Sequence, residues 1–433
     1  MARSQPTAFV EARLVDPESG YDGPGALVVA EGVIADVIRR PRFDDLSGDV
    51  RVIDCGGAML APGLVDLRVK TGEPGAEPKE TLKSASRAAA AGGVTSIVIQ
   101  PDTDPAIDDP AMVDFVFRRA RDIELVHVYP AGAATRGCEG ERLAELGLMR
   151  DAGAVYFTDV DRAIADSRLL RRVLSYANGF GAAVAHRPAD PYLCRGAVAT
   201  EGEFAARMGL PAAPAIAERI MLERDLAIAE LTGGRLIVDQ ITTADALESL
   251  ERARGRGVHA TATASINHLS FNELDIGDYR SFARLDPPLR AEADRRALIE
   301  ALASGLVGVV VSAHAPAPAE DKRLPFAEAA PGGVGLETLL PALLSLHHQD
   351  ELDLVTLIRA VTLAPARLIG LDAGRIAPGA AADLVLCDIG SPFTVDADKL
   401  LSKSKNSPFD GRRLQGRVIL TMVDGRIVHR AEA

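Results

Sequence analysis

The 433 residues are 47% hydrophobic and 25% charged, a composition that supplies a sizeable globular core. A net charge of −13 lacks the basic footprint that nucleic acid and anionic membranes demand, and no uncharged apolar run reaches the roughly 18 residues a membrane span needs. The four cysteines, Cys55, Cys138, Cys194 and Cys387, lie far apart with no C-x-x-C pair, a pattern of unrelated thiols in a reducing compartment rather than of disulfides or a thiolate metal site.

Residues 1–6 carry no apolar signal segment and lead directly into strand-like sequence, so a cytoplasmic location is expected. Residues 8–54 alternate in short strands, and residues 26–30, the pair Glu31-Gly32 and residues 33–37 read as a hairpin. The last sixty or so residues repeat this style, with strand-like residues 382–387 and 418–423, the pair Asp424-Gly425, and residues 426–428. Hairpins are marginal alone, so the two ends are expected to pair into one small composite β-sandwich, assigned to residues 1–60 and 375–433.

The middle, residues 61–374, alternates apolar strand-like runs with helical stretches. The runs fall at 63–70, 95–101, 124–132, 154–159, 182–187, 235–242, 259–265 and 307–315. Near-continuous apolar strands suit a parallel sheet covered on both faces, and eight strand–helix units close into an α/β fold of the (β/α)8 barrel type. The long segment 317–335, rich in Pro, Ala and Gly, follows the eighth strand and is expected to cover the mouth.

Functional groups of such a barrel sit at the C-terminal ends of its strands. On strand 1, alternation turns Asp66, Arg68 and Lys70 to one face. Two cations there oppose a metal, because like charges at about 4 Å and an effective dielectric near 20 cost roughly 4 kcal/mol per unit pair. Strand 4 ends in Asp159, strand 5 in His186, strand 6 offers Asp239 and Gln240, and strand 8 offers Ser312, Ala313 and His314. Asp159 and His186 are therefore the retained ligand-like residues. The bland alternatives are an ion pair of Asp159 with Arg68 or Lys70, and a hydrogen-bonded histidine at 186. His127 lies within a strand run, and His347-His348 lie on a helix.

Several motifs then carry a family resemblance. Ala61-Pro-Gly-Leu-Val-Asp-Leu, Gly92-Gly-Val-Thr-Ser, Pro101-Asp-Thr-Asp-Pro, Met221-Leu-Glu-Arg-Asp, Asp286-Pro-Pro-Leu-Arg and the tail Lys403-Ser-Lys-Asn-Ser-Pro-Phe-Asp-Gly together resemble dihydroorotase, in order, from about residue 10 to 430. The resemblance implies an amidohydrolase-type barrel with a small sandwich, and a zinc-dependent cyclic amidohydrolase of pyrimidine biosynthesis.

The departures lie in the site. The family's His-x-His stands here as Arg68 and Lys70, its strand-6 histidine as Gln240, and its strand-8 aspartate, both ligand and general base, as Ala313. Its bridging carboxylate and strand-5 histidine match Asp159 and His186. Its substrate-contacting positions are substituted at Gly72, Asp102, Asp286 and Ala317. The expectation is therefore no cofactor, no metal, no substrate binding and no catalytic residue. By the resemblance, the chain is a silent oligomeric subunit supporting aspartate transcarbamoylase. The alternatives are an active hydrolase with one zinc on Asp159 and His186, and a small-anion binder using Arg68 and Lys70.

Overall fold

The computed structural model describes residues 5–39 and 50–431. The reading of the N-terminal residues as free of a signal segment falls in part on residues 1–4, which lie outside the described residues, as do residues 40–49 and 432–433 of the terminal segments.

Both ends of the chain build one sheet. Thr7–Asp16, Tyr21–Ala30, Val33–Arg39, Arg51–Asp54 and Met59–Pro62 come from the N-terminal side, and Leu384–Thr394, Arg413–Val423 and Arg426–Arg430 from the C-terminal side. Met59–Pro62 is the seam, parallel to the first strand and antiparallel to Leu384–Thr394. Glu31 and Gly32 both take positive φ, as do Asp424 and Gly425, which matches the twist of the two hairpins that they close. Phe9, Leu27, Ile34, Leu60, Leu384 and Met422 fill the core of this unit, all nearly inaccessible to solvent.

The central segment is the barrel. Its strands, in order, are Leu64–Val69, Val94–Ile99, His127–Pro130 with Gly132–Ala133, Phe157–Thr158, Ala183–His186, Arg235–Val238, Ala260–Ser265 and Val307–Val311. Neighbours pair in parallel, and the ring closes between the eighth and first strands through the Val69–His314 bridge and the Lys70 N to His314 O bond of 2.9 Å. The third strand starts later than its apolar run suggests. Glu124 takes a left-handed φ of 50° and caps the helix Pro110–Ile123, and residues 125–126 bend across to the strand. The fourth strand is short, because Val160 turns the chain at φ 55°.

The helix Ile216–Thr232 is less amphipathic than its neighbours for a specific reason: Glu218 and Asp225 point inward from it. Glu218 accepts backbone N–H bonds from Thr242 (2.8 Å) and Thr243 (3.1 Å) and pairs with Arg290 at 3.3 Å. Cys55, Cys138 and Cys387 are buried, Cys194 is partly exposed, and all four are free thiols. Among the described residues, no helix is long and apolar enough to cross a membrane.

Candidate functional site

The strand ends open on a cavity of about 400 Å³. Eight of the positions singled out in the sequence line it together: Arg68, Lys70, Gly72, Asp102, Gln240, Asp286, Ala313 and Ala317. The loop after the eighth strand supplies part of the wall, through Ala330, Pro331 and Gly332. Asn406, from the tail motif, holds that loop by accepting from Ala317 N and donating to Ala315 O and Gly332 O, each at 3.1 Å.

Three cations and four carboxylates interlock here. Arg68, only 4% exposed, donates Nε to Asp239 Oδ2 at 2.8 Å and Nη2 to Asp161 Oδ1 at 2.7 Å. Lys70 pairs with Asp102 at 2.6 Å and also with Asp161. Arg187 donates Nη1 to Asp161 at 3.2 Å and to Asp286 Oδ2 at 2.9 Å, and its Nη2 meets the other oxygen of Asp286. With its amide oxygen turned to Arg68, Gln240 accepts from Nε at 3.1 Å and from Nη2 at 3.2 Å. Burial opposes the charges on Arg68, Lys70, Arg187, Asp161 and Asp286. It is outweighed at Asp161, which Lys70, Arg68 and Arg187 hold well below the ordinary carboxylate range, and at Asp286, which Arg187 holds down. Burial likewise opposes the charge on Arg68, yet Asp239 and Asp161 raise its pKa.

The two retained ligand-like residues are elsewhere. Asp159 is buried and makes no pair with Arg68 or Lys70; it accepts from Thr135 N at 2.8 Å and from Thr135 Oγ1 at 2.5 Å. The carboxylate that meets those cations is Asp161, because the positive φ at Val160 swings the chain and sends the next side chain into the mouth. Val160, Gln240 and Ala313, none of them glycine, all take positive φ at the ends of strands 4, 6 and 8, a concentration of backbone strain at the barrel mouth. His186 is saturated: Nε2 accepts from Ile164 N at 2.8 Å, and Nδ1 lies 2.6 Å from Asp225 Oδ2. Neither residue lines the cavity. His314 also turns away, with its Nε2 3.5 Å from Glu80 Oε2.

Zinc takes imidazole and carboxylate ligands, commonly four of them. The mouth offers an arginine, a lysine, a glutamine and an alanine at the substituted positions, both nitrogens of His186 are in use, and the one histidine among the cavity-lining residues, His268, is buried with its Nε2 on Pro288 O at 3.3 Å. These residues do not fit a zinc centre. Gly72 is constrained as well: at φ +74° a Cβ would lie 2.6 Å from the Ala76 carbonyl oxygen, so this loop shape excludes any larger residue.

Sequence reading alone missed Asp161 and Arg187 as members of the site. The available signal was the pair of buried cations on strand 1, which cannot stay buried without carboxylates.

Comparison with known proteins agrees with this architecture. The chain matches the family described as Dihydro-orotase-like over residues 57–246 and the Amidohydrolase family over residues 217–428. A dihydroorotase of Anaeromyxobacter dehalogenans is 42% identical over 427 residues, covering 97% of each chain. A dihydroorotase of Desulforapulum autotrophicum is 37% identical over 98% of this chain and 99% of its own. Among solved structures, the L-hydantoinase of Arthrobacter aurescens superposes with a TM-score of 0.86 at 25% identity, covering 98% of this chain and 96% of that one. With an amidohydrolase barrel, a composite sandwich and full-length relatives at this identity, the chain belongs to the dihydroorotase family.

Proposed function

We propose that this chain is a catalytically silent member of the dihydroorotase family, acting in the cytoplasm as an assembly partner of aspartate transcarbamoylase in pyrimidine biosynthesis. The observation that carries the silent half is Arg68, whose guanidinium bonds Asp239 and Asp161 where a hydrolytic centre needs metal ligands. A metal-activated water requires the metal, and its proton requires a base within hydrogen-bond reach; Ala313 has no group to accept it. The cations of the buried network offer an anionic substrate little, since Arg68, Lys70 and Arg187 are each paired to carboxylates, which leaves the exposed Lys79 at the cavity wall outside that network. That pairing weighs against the small-anion reading too.

The partnership rests on the family resemblance and on a fold kept whole around an altered site. The test is dihydroorotate hydrolysis and carbamoyl-aspartate cyclisation by the purified chain with and without added zinc, together with co-sedimentation with aspartate transcarbamoylase. The expected result is no turnover and a stable complex. Zinc-dependent turnover would overturn the silent reading, and absence of a complex would remove the partner.

A second reading, an active dihydroorotase with a reduced metal site, is favoured by the name of the relatives that match along the full length. It requires His186 Nε2 to leave Ile164 N and face the cavity, with Asp225 staying on Nδ1 behind it.

A further inference from the structure

At the opposite end of the barrel, where its strands begin, three chain segments converge. His127 opens the third strand, Asp383 immediately precedes the strand Leu384–Thr394, and Asp424 lies in the turn before Arg426–Arg430. One imidazole nitrogen and two carboxylate oxygens lie within 4.8 Å of one another. We propose that His127, Asp383 and Asp424 form a divalent transition-metal site, of the zinc type, that staples the terminal sheet to the barrel.

The spacing suits a small cation. His127 Nε2 is 3.1 Å from Asp383 Oδ2 and 3.7 Å from Asp424 Oδ1. Tetrahedral zinc with ligand bonds of about 2.0–2.1 Å has ligand–ligand edges of about 3.3–3.4 Å. The two distances from His127 bracket that edge, and the two carboxylate oxygens lie within 4.8 Å of each other, so side-chain rotation of the half-exposed Asp424 is what closes the third edge. An imidazole with two carboxylates is a donor set that zinc accepts.

The ligands are also held in place from behind. Asp424 N donates to Asp383 Oδ1 at 2.8 Å, which leaves Oδ2 facing His127, the kind of support that orients metal ligands. Gly425 N donates to Ala382 O at 3.1 Å, pinning the turn to the strand before Asp383. Asp424 is half exposed, leaving a fourth position for water. The nearby guanidinium of Arg426 is shared with Glu124 at 3.5 Å.

A consequence touches the reading of metal analyses. One zinc per purified chain would belong to this clasp and would not report a surviving hydrolytic centre at the mouth. The site is independent of the proposed function, because none of its residues lines the mouth cavity.

The test uses the full chain, stripped by chelator and titrated with zinc chloride, with stoichiometry by calorimetry and stability by melting temperature. One equivalent should bind and raise the melting temperature. His127→Gln and Asp424→Asn should each weaken binding by about 10- to 100-fold or more. His186→Asn, at the far end of the barrel from the clasp, should bind as the unaltered chain does. Asn tolerates the left-handed turn at 424 as well as Asp, so the melting temperature of metal-free D424N should match that of the metal-free parent. No saturable binding, binding unaffected in both clasp variants, or binding lost in H186N would each overturn the proposal. If the three residues form only a histidine–aspartate clasp, the first of these outcomes appears.

Discussion

Arg68 Nε lies 2.8 Å from Asp239 Oδ2, and both side chains are buried, 171 residues apart in the chain. This pair fills the mouth of the barrel with charge that is already compensated. A buried pair adds little net stability over an apolar replacement, but breaking it leaves one charge stranded. Arg68→Met strands Asp239 and deprives Asp161 of one partner. It is expected to cost about 3–5 kcal/mol, read from the denaturant midpoint, and the added Asp239→Asn change should recover part of that loss. A loss within experimental error for R68M alone would show the network to be dispensable.

Restoring the family ligands should not restore turnover. The variant Arg68→His, Lys70→His, Gln240→His, Ala313→Asp still has Asp159 bonded to Thr135 and His186 bonded to Ile164 and Asp225. Mouth-bound zinc should rise, measured in a His127→Gln background, yet dihydroorotate turnover should stay near background. Adding Gly72→Arg should destabilise the chain, because the new Cβ meets the Ala76 carbonyl at 2.6 Å. Rapid turnover in the fourfold variant would show that the loop and the saturated residues rearrange freely.

His186 is expected to matter for stability alone. His186→Ala leaves Ile164 N unsatisfied and takes a partner from Asp225, which also holds Arg224 at 2.6 Å. The expected loss is about 1.5–3 kcal/mol, with zinc content unchanged. A large fall in bound zinc would place the metal at the mouth.

The pH dependence of stability should carry a mark from Glu337. Burial first, with the charge of Glu80 adding to it, pushes this carboxyl up to about 7 against the N–H bonds from Ser402 and Leu401. In the unfolded chain the group titrates near 4.5. Between these values the folded state keeps a proton that the unfolded state has released, so stability falls as pH rises from about 4.5 to about 7. The slope from one group cannot exceed about 1.4 kcal/mol per pH unit. Glu337→Gln keeps an acceptor for Leu401 and Ser402 and should flatten that segment of the curve. An unchanged slope would mean that Glu337 titrates in the ordinary range.

Much of this protein is legible from local order in its chain. Period-two alternation with Glu31-Gly32 and Asp424-Gly425 turns specifies the terminal hairpins, because a backbone turn and its flanking strands are neighbours in sequence. Apolar runs separated by helical stretches specify the parallel barrel for the same reason. The substituted positions are equally visible, since all but Asp286 lie at or just beyond a strand end, and the barrel then brings eight of them to one cavity.

Only the tertiary structure decided what those substitutions do. Asp161 reaches Arg68 across 93 residues because Val160 takes a left-handed φ, a conformation that no propensity favours for a β-branched side chain. His186 looks like a free ligand in the sequence, but Ile164 N occupies its Nε2 and Asp225, 39 residues on, from a helix packed behind it, occupies its Nδ1. The physical reason is the same in both cases: a buried charge or ring nitrogen takes its partner from whatever the packed fold places within about 3 Å, and sequence periodicity carries no record of that distance.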